Sequence, residues 1–300
     1  MDLDLGQLRA LSAVAAEGTF DAAARRLHVT PSAISQRIRA LEIATGRVLL
    51  VRSKPVVVTP PGHAVLRLAR QIEALATDTG RELGLDDSSG PLTVPIAVNA
   101  DSLATWALPA LAPLADTLCF EIHREDQEHT SALLRDGTVM AAVTADAEPV
   151  PGCRSTPLGR MRYRPLAEPA FAQRWFPDGP TTSALAAAPV VVFDRKDDLQ
   201  HRYLRRRSRS PLAPPVQQVP SSAEFLTAVR LGLGWGMVPD QQGAEHRSAG
   251  RLVELDPRSV VDVALHWQQW RLSSTALDRV TDAVVTAARA ALHPPGGQST

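Results

Sequence analysis

Ser32, Gln36 and Arg39 follow one another at steps of four and three residues, which sets them along one line of an α-helix. A glutamine can pair bidentately with adenine, an arginine with guanine or a phosphate, and a serine with either. Ser35 and Arg37 flank this line, and Ala33 is small enough to let the helix enter a groove or touch a thymine methyl. Ile34, Ile38 and Leu41 share the opposite face, which must be buried. The outward face carries no carboxylate, so the whole line suits a polyanion. Thr30-Pro31 starts the helix, with a hydroxyl cap and then proline where no N–H is missed; Thr30 counts among the contacts. Arg52 and Lys54 stand just before a strand-like Val56–Thr59 and are placed to meet backbone or minor groove.

The elements that must hold this helix are legible on either side. Residues 5–17 read as a helix stopped by Gly18. Thr19 caps a second helix, Phe20 to Leu27, and His28-Val29 form a short turn. The third helix runs from Pro31 to about Thr45 and ends at Gly46. Two short helices joined by a tight turn, followed by a wing strand, form a helix-turn-helix signature. Between Gly18 and Lys54 stand seven cations and two anions (Asp21, Glu42), a net +5 in a chain of zero formal charge. That local excess implies a polyanionic partner, double-stranded DNA.

From Gly62 to about Leu83 a long helix is expected. Val65, Leu68, Ile72 and Leu75 alternate three and four apart, an a/d stripe that predicts dimerisation; packing on its own domain is the alternative. Asp86–Pro91 reads as a linker. Strand-like and helical runs then alternate: 92–98, 102–115, 118–123, 129–137, 139–144, 189–194, 223–233, 235–239, 263–268 and a final helix Ser274–Leu292. This implies α/β layers around a mostly parallel sheet. Gly232–Gly236 reads as a helix-to-strand turn, Arg205–Arg207 with Arg209 as a solvated loop, and Trp106 and Trp235 as core.

Enzyme chemistry is not expected. The sequence holds no GxSxG, HExxH or GxxxxGK[ST], and nothing pairs a nucleophile with a base. His123 and His129 lie six apart, a spacing foreign to common zinc motifs, so neither metal nor cofactor is expected. Cys119 and Cys153 form no CxxC pair, which fits a reducing cytosol. The N-terminus MDLDLGQLRAL is not read as a secretory signal, and no run of about 18 apolar residues exists to span a membrane. A cytoplasmic protein is expected.

Residues 3–62 resemble the DNA-binding domain of LysR-type transcriptional regulators. The matching stretches are Leu8–Ala16, Gly18-Thr19-Phe20 through Ala23–Leu27, Val29–Leu41 with Glu42, and Leu49–Arg52 to Thr59–Gly62, and the likeness continues across nearly the whole chain. Two departures stand out. The usual aromatic before the arginine is replaced in Leu50-Val51-Arg52, and the wing's usual second arginine is absent, with Pro55 in that region. These, with VNADSLATWALPAL, VVVFDRKDDLQ and SSAEFLTAVRLGLGWGMVP, resemble the lysine/arginine-export regulators, the ArgP and LysG type.

The resemblance implies an α+β multidomain chain. Residues 1–60 would be a winged helix-turn-helix (the motif at about 20–39), 61–84 the linker and dimerisation helix, and 85–91 a hinge. Residues 92–300 would be a two-lobed α/β effector domain like a periplasmic binding protein. Lobe I would cover about 92–161 and 266–295, lobe II about 162–265, with the effector in the cleft. The resemblance also implies a homodimer or homotetramer that binds an operator, senses L-lysine or L-arginine and switches on an exporter gene, with RNA polymerase a candidate partner. The alternatives are an amino-acid-binding dimer without operator recognition, a DNA-compacting protein, and a regulator with another effector.

A basic amino acid offers a carboxylate, an ammonium and a distal cation. The carboxylate suits N–H groups at a helix start. Asn99-Ala100-Asp101-Ser102 opens one helix, and Ser221-Ser222-Ala223-Glu224 opens another as a capping box. Asp101 and Thr144 fall at carboxyl ends of strands, where ligands of open α/β sheets gather. Asp194 ends the strand Pro189–Phe193 in the same way, and Asp126 lies in the loop after Leu118–His123. A cation removed from water needs such partners. The expected effector site is therefore Asp101, Ser102, Asp126, Thr144, Asp194 and Ser222.

Overall fold

A computed structural model describes residues 3–84, 92–124, 127–272 and 274–295; at 81, 82 and 127–129 it describes the backbone alone. In chain order the elements are α1 (Leu5–Glu17), α2 (Phe20–Arg26), α3 (Pro31–Thr45), β1 (Leu50–Val51), β2 (Val57–Val58), α4 (Pro60–Glu82), β3 (Leu92–Val98) and α5 (Ala100–Ser102). One turn, Leu103–Ala107, is wound as a π-helix before α6 (Leu108–Leu111). Then come β4 (Leu118–Arg124), α7 (Gln127–Asp136), β5 (Ala141–Thr144), β6 (Cys153–Ala167), α8 (Pro169–Trp175), α9 (Thr182–Ala187), β7 (Val190–Val192), α10 (Leu199–Arg207) and β8 (Val216–Gln218). The series ends with α11 (Ser222–Arg230), β9 (Gly236–Pro239), α12 (Asp240–Ser248), β10 (Val253–Glu254), β11 (Val261–Trp270) and α13 (Thr275–Ala291).

Two compact units result. One comprises Met1–Val98, Pro113–Ser155 and Trp267–Asp282; the other comprises Asn99–Ala112, Thr156–His266 and Ala283–Thr300. Residues 99–112, 156–161 and 283–295, expected in the first lobe, pack with the second unit. The expected hinge at 85–91 lies outside the described residues.

In the first unit, side-chain caps set the helix starts. Asp4, Thr19 and Thr30 each accept the backbone N–H three residues on, satisfying donors that a helix leaves unpaired. Leu8, Leu11, Val14, Ile34, Ile38, Leu41 and Leu49 form a buried core, each large side chain contributing about 1.5–3 kcal/mol. Helix α4 adds Leu66 and Ala69 to that core, and Val65 and Ile72 pack against it. The expected stripe is thus divided: its own domain takes up Val65 and Ile72, Leu68 is half-buried, and Leu75 stays 42% exposed. Strand β3 pairs in parallel with β4 and β5.

The far side of α4 closes onto the end of α7. His63 Nδ1 lies 3.1 Å from the Asp136 carbonyl, Arg67 donates to the Arg135 carbonyl at 3.0 Å, and Arg70 donates to the carbonyls of Gly137, at 2.9 Å, and Thr138. A helix end leaves its last carbonyls unpaired and carries partial negative charge; here His63 and Arg67 meet two of them, and Arg70 meets the two carbonyls just past the end. Gly137 makes the approach possible. Its φ is +80°, and a Cβ there would stand 2.6 Å from Arg67 Cβ and 2.7 Å from Arg67 Cα. Further along α4, Asp78 accepts the Thr275 N–H at 2.9 Å, at the start of α13.

In the second unit β6 pairs antiparallel with β9 and β10, and β7 pairs in parallel with β8. The sheets are thus mixed rather than mostly parallel. Met161, Tyr163 and Leu166 of β6 point into the core, while Arg162 and Arg164 meet Asp262, Asp240 and Glu254. The arginines 205–207 end helix α10 instead of forming a loop: Gln200, Tyr203 and Leu204 bury its other face.

Candidate nucleic-acid interface and effector site

Helix α3 presents what its spacing demanded. Ile34, Ile38 and Leu41 are buried, Ser32, Gln36 and Arg39 are exposed, and Ala33, Ser35 and Arg37 are half-buried beside them. Thr30 is exposed but engaged: its hydroxyl accepts the Ala33 N–H at 3.2 Å and lies 2.9 Å from the Ser32 hydroxyl. Arg37 lies alongside the start of α1, near Gly6. Arg52 is exposed with its guanidinium 5.4 Å from the centre of the Phe20 ring, and Lys54 is exposed.

The wing is fixed by a residue not assigned to it in sequence. Glu42 Oε1 accepts the N–H groups of Leu49 and Leu50, at 2.9 and 3.4 Å, tying β1 to α3. Thr59 then donates to the Val48 carbonyl at 2.7 Å and accepts the Gly62 N–H. A Cβ at Gly62 would meet the Leu49 carbonyl oxygen at 2.2 Å, so only glycine lets α4 leave the wing here.

The second unit gathers a polar cluster around Asp101. Its carboxylate accepts the Tyr163 hydroxyl at 2.8 Å and the Ser222 hydroxyl at 2.7 Å, and Gln242 donates to Ser222 Oγ at 3.0 Å. Burial raises the Asp101 pKa, and the two hydroxyl bonds pull it partly back. Ser222 and Tyr163, both neutral, are the groups that favour its ionised form against burial. Asp197 is a second acid whose pKa burial raises; Phe193 and Leu199 N–H bonds lower it and the charge of Asp101 raises it. Ser102 Oγ and Trp106 Nε1 are buried without a hydrogen-bond partner among the described residues, on the segment that takes the π-helical turn, a form common at functional sites.

Asp194 and Thr144 bond within their own segments. The Asp194 carboxylate accepts the N–H groups of Lys196 and Asp197, at 2.7 and 2.9 Å, and so closes its own loop; the acid whose charge reaches Asp101 is Asp197. Thr144, buried in the first unit, accepts the Asp146 N–H at 3.1 Å. Asp126 lies outside the described residues. Ser221 donates its hydroxyl to the Glu224 carboxylate and makes no side-chain bond to the helix N–H groups, and its own N–H bonds the Val219 carbonyl, so neither bond of the expected capping box forms. Tyr163, Gln242 and Asp197 were missed. Among the described residues no group of three or more His, Cys, Asp or Glu is arranged to hold a metal, and no helix is long and apolar enough to cross a membrane.

A recognition helix with a cationic outward face, a wing and an attached α/β body define a helix-turn-helix transcriptional regulator. Residues 5–63 match the model of the bacterial regulatory helix-turn-helix proteins of the lysR family, and residues 86–289 match the LysR substrate binding domain. The chain therefore belongs to the LysR family of transcriptional regulators. It is similar to the transcriptional regulator LysG of Mycobacterium tuberculosis, 46% identical over 286 residues that cover 95% of this chain and 94% of that protein. The crystal structure of ArgP from Mycobacterium tuberculosis is 44% identical, with a TM-score of 0.86 over 98% of this chain and all of that one. Full-length LysG of Corynebacterium glutamicum with bound effector Arg is 39% identical, with a TM-score of 0.76 over 97% of this chain and all of that one. These relatives are regulators, not enzymes.

Proposed function

We propose that this chain is a sequence-specific DNA-binding transcription factor whose second unit binds a basic amino acid, lysine or arginine, and that it controls a gene for amino-acid export. The observation that carries the effector assignment is Asp101: a mostly enclosed carboxylate held by two neutral hydroxyls, with a second, half-buried acid, Asp197, within reach of its charge. Taking a carboxylate out of water is costly unless it is paired, and a ligand ammonium or guanidinium would pair with it. The bound arginine of the Corynebacterium relative supports the reading.

In this account Thr30, Ser32, Ala33, Ser35, Gln36, Arg37, Arg39, Arg52 and Lys54 meet the operator, with Thr30 acting also as the cap. Asp101, Ser102 and Ser222 belong to the effector site, joined by Tyr163 and Asp197. Residues 1–60 form the DNA-binding domain, 61–84 the linker helix, 85–91 the hinge and 92–300 the effector domain. Exposed Leu75 and half-buried Leu68 leave α4 a face for a second copy, giving a homodimer or homotetramer working in the cytoplasm.

Calorimetry of the full chain with L-lysine and L-arginine, alongside gel shifts with the DNA upstream of its own gene, tests both halves. One of the two amino acids is expected to bind and to alter the shift. Ligand binding without any DNA shift would reduce the protein to an amino-acid binder, and a shift insensitive to both would remove the effector assignment.

A further inference from the structure

We infer that Tyr163 and Gln242 are positioning residues that hold Asp101 as an oriented carboxylate for the ligand's cation. This rests on the effector reading above and extends it to two side chains that act through a third.

The argument follows the protons. The Tyr163 hydroxyl has one proton and two acceptors within reach, Asp101 Oδ2 at 2.8 Å and Met161 Sδ at 3.2 Å. A carboxylate is much the stronger acceptor, so the proton goes to Asp101. Ser222 also has one proton. Gln242 Nε2 donates to Ser222 Oγ at 3.0 Å, which leaves that proton for Asp101 Oδ1 at 2.7 Å. Each carboxylate oxygen therefore accepts one bond from a neutral donor and keeps lone-pair capacity for a cation.

Tyr163 on β6 and Ser222 on α11 bond Asp101 directly, and Gln242 on α12 reaches it through Ser222. Tyr163 is 4% exposed, while Asp101 keeps part of its surface open. Other charged groups nearby are Asp197, which disfavours further negative charge, and Arg202, whose field reaches Tyr163. The bonds from Ser222 and Tyr163 both favour ionised Asp101 against its burial. Removing the Tyr163 donor must therefore raise the pH at which Asp101 takes up a proton and stops serving a cation.

A merely structural tyrosine would also bond the nearest acceptor, because buried hydroxyls find partners. The pH profile separates the two roles. L-arginine affinity of the full chain is measured by calorimetry from pH 5 to 8 for wild type, Tyr163→Phe, Gln242→Leu and Asp101→Asn, with circular dichroism to check folding. Tyr163→Phe is expected to bind about tenfold more weakly at neutral pH, the size of one bond to a charged group, with its acid loss of affinity displaced to higher pH. Gln242→Leu is expected to change in the same direction by a smaller factor, and it carries the test if Tyr163→Phe does not fold. Weaker binding with an undisplaced pH profile would overturn the inference, as would wild-type affinity in both variants while Asp101→Asn abolishes binding. Wild-type binding by Asp101→Asn would instead remove the effector reading, and the inference with it.

Discussion

Replacing Gly137 by alanine tests whether α4 docks onto the end of α7. The substitution has two costs. At φ +80° any side chain is strained by roughly 1–2 kcal/mol. The new Cβ would also stand 2.6 Å from Arg67 Cβ and 2.9 Å from Arg67 N, so α4 must move and loosen the bonds from His63, Arg67 and Arg70. At about 0.5–1.5 kcal/mol for each side chain's bond, the three add about 1.5–4.5 kcal/mol to that strain. Gly152 is the control: its φ is +85°, and a Cβ there would meet nothing within 4 Å. Gly152→Ala should show the strain alone. With melting points moving about 2–4 °C per kcal/mol in a chain of this order of size, Gly137→Ala should melt several degrees below Gly152→Ala in a thermal scan at fixed concentration. Equal melting points for the two variants would refute the docking of α4 on α7.

Two further outcomes follow from the site and its supports. Glu42→Ala leaves the Leu49 and Leu50 N–H groups without their acceptor; it should cost about 1–3 kcal/mol and weaken operator binding as the wing loosens, read by urea unfolding and gel shift. Asp262 is held below the usual carboxylate range chiefly by its hydrogen bonds from Arg162. A depressed native pKa gives stability that is full above the unfolded value and is lost as pH falls through the native one. Asp262→Asn should therefore lose less stability than wild type between about pH 5 and pH 3, measured by denaturant midpoints; equal losses would contradict the pairing.

The N-terminal elements were legible because their signals are local. Thr19, Thr30-Pro31, Gly18 and Gly46 mark helix ends within a few residues of the groups they cap, and the isoleucine face of α3 follows from spacing alone. Strand β6 was harder. Pro157, Gly159 and Pro165 interrupt its pattern, although Met161, Tyr163 and the arginines between them alternate with the period of a half-buried strand. Missing that strand hid Tyr163, whose partner stands 62 positions away. Asp194 stands out in the sequence because it directly follows a strand-like run, and Asp197 carries no such signal. Which acid turns inward depends on the loop that Asp194 itself closes, and no local pattern encodes that. The α4 stripe spelled out an apolar face but not its partner, and its own N-terminal core takes up half of it.

The central claim is that the outward line of α3 selects a DNA sequence. Fluorescence anisotropy with the operator and a scrambled duplex, over a range of salt, tests it on wild type, Gln36→Ala and Arg39→Ala. Wild type should prefer the operator and weaken steeply with salt. Each variant should stay folded and bind the two duplexes nearly alike. Wild-type preference retained in both variants would contradict the account.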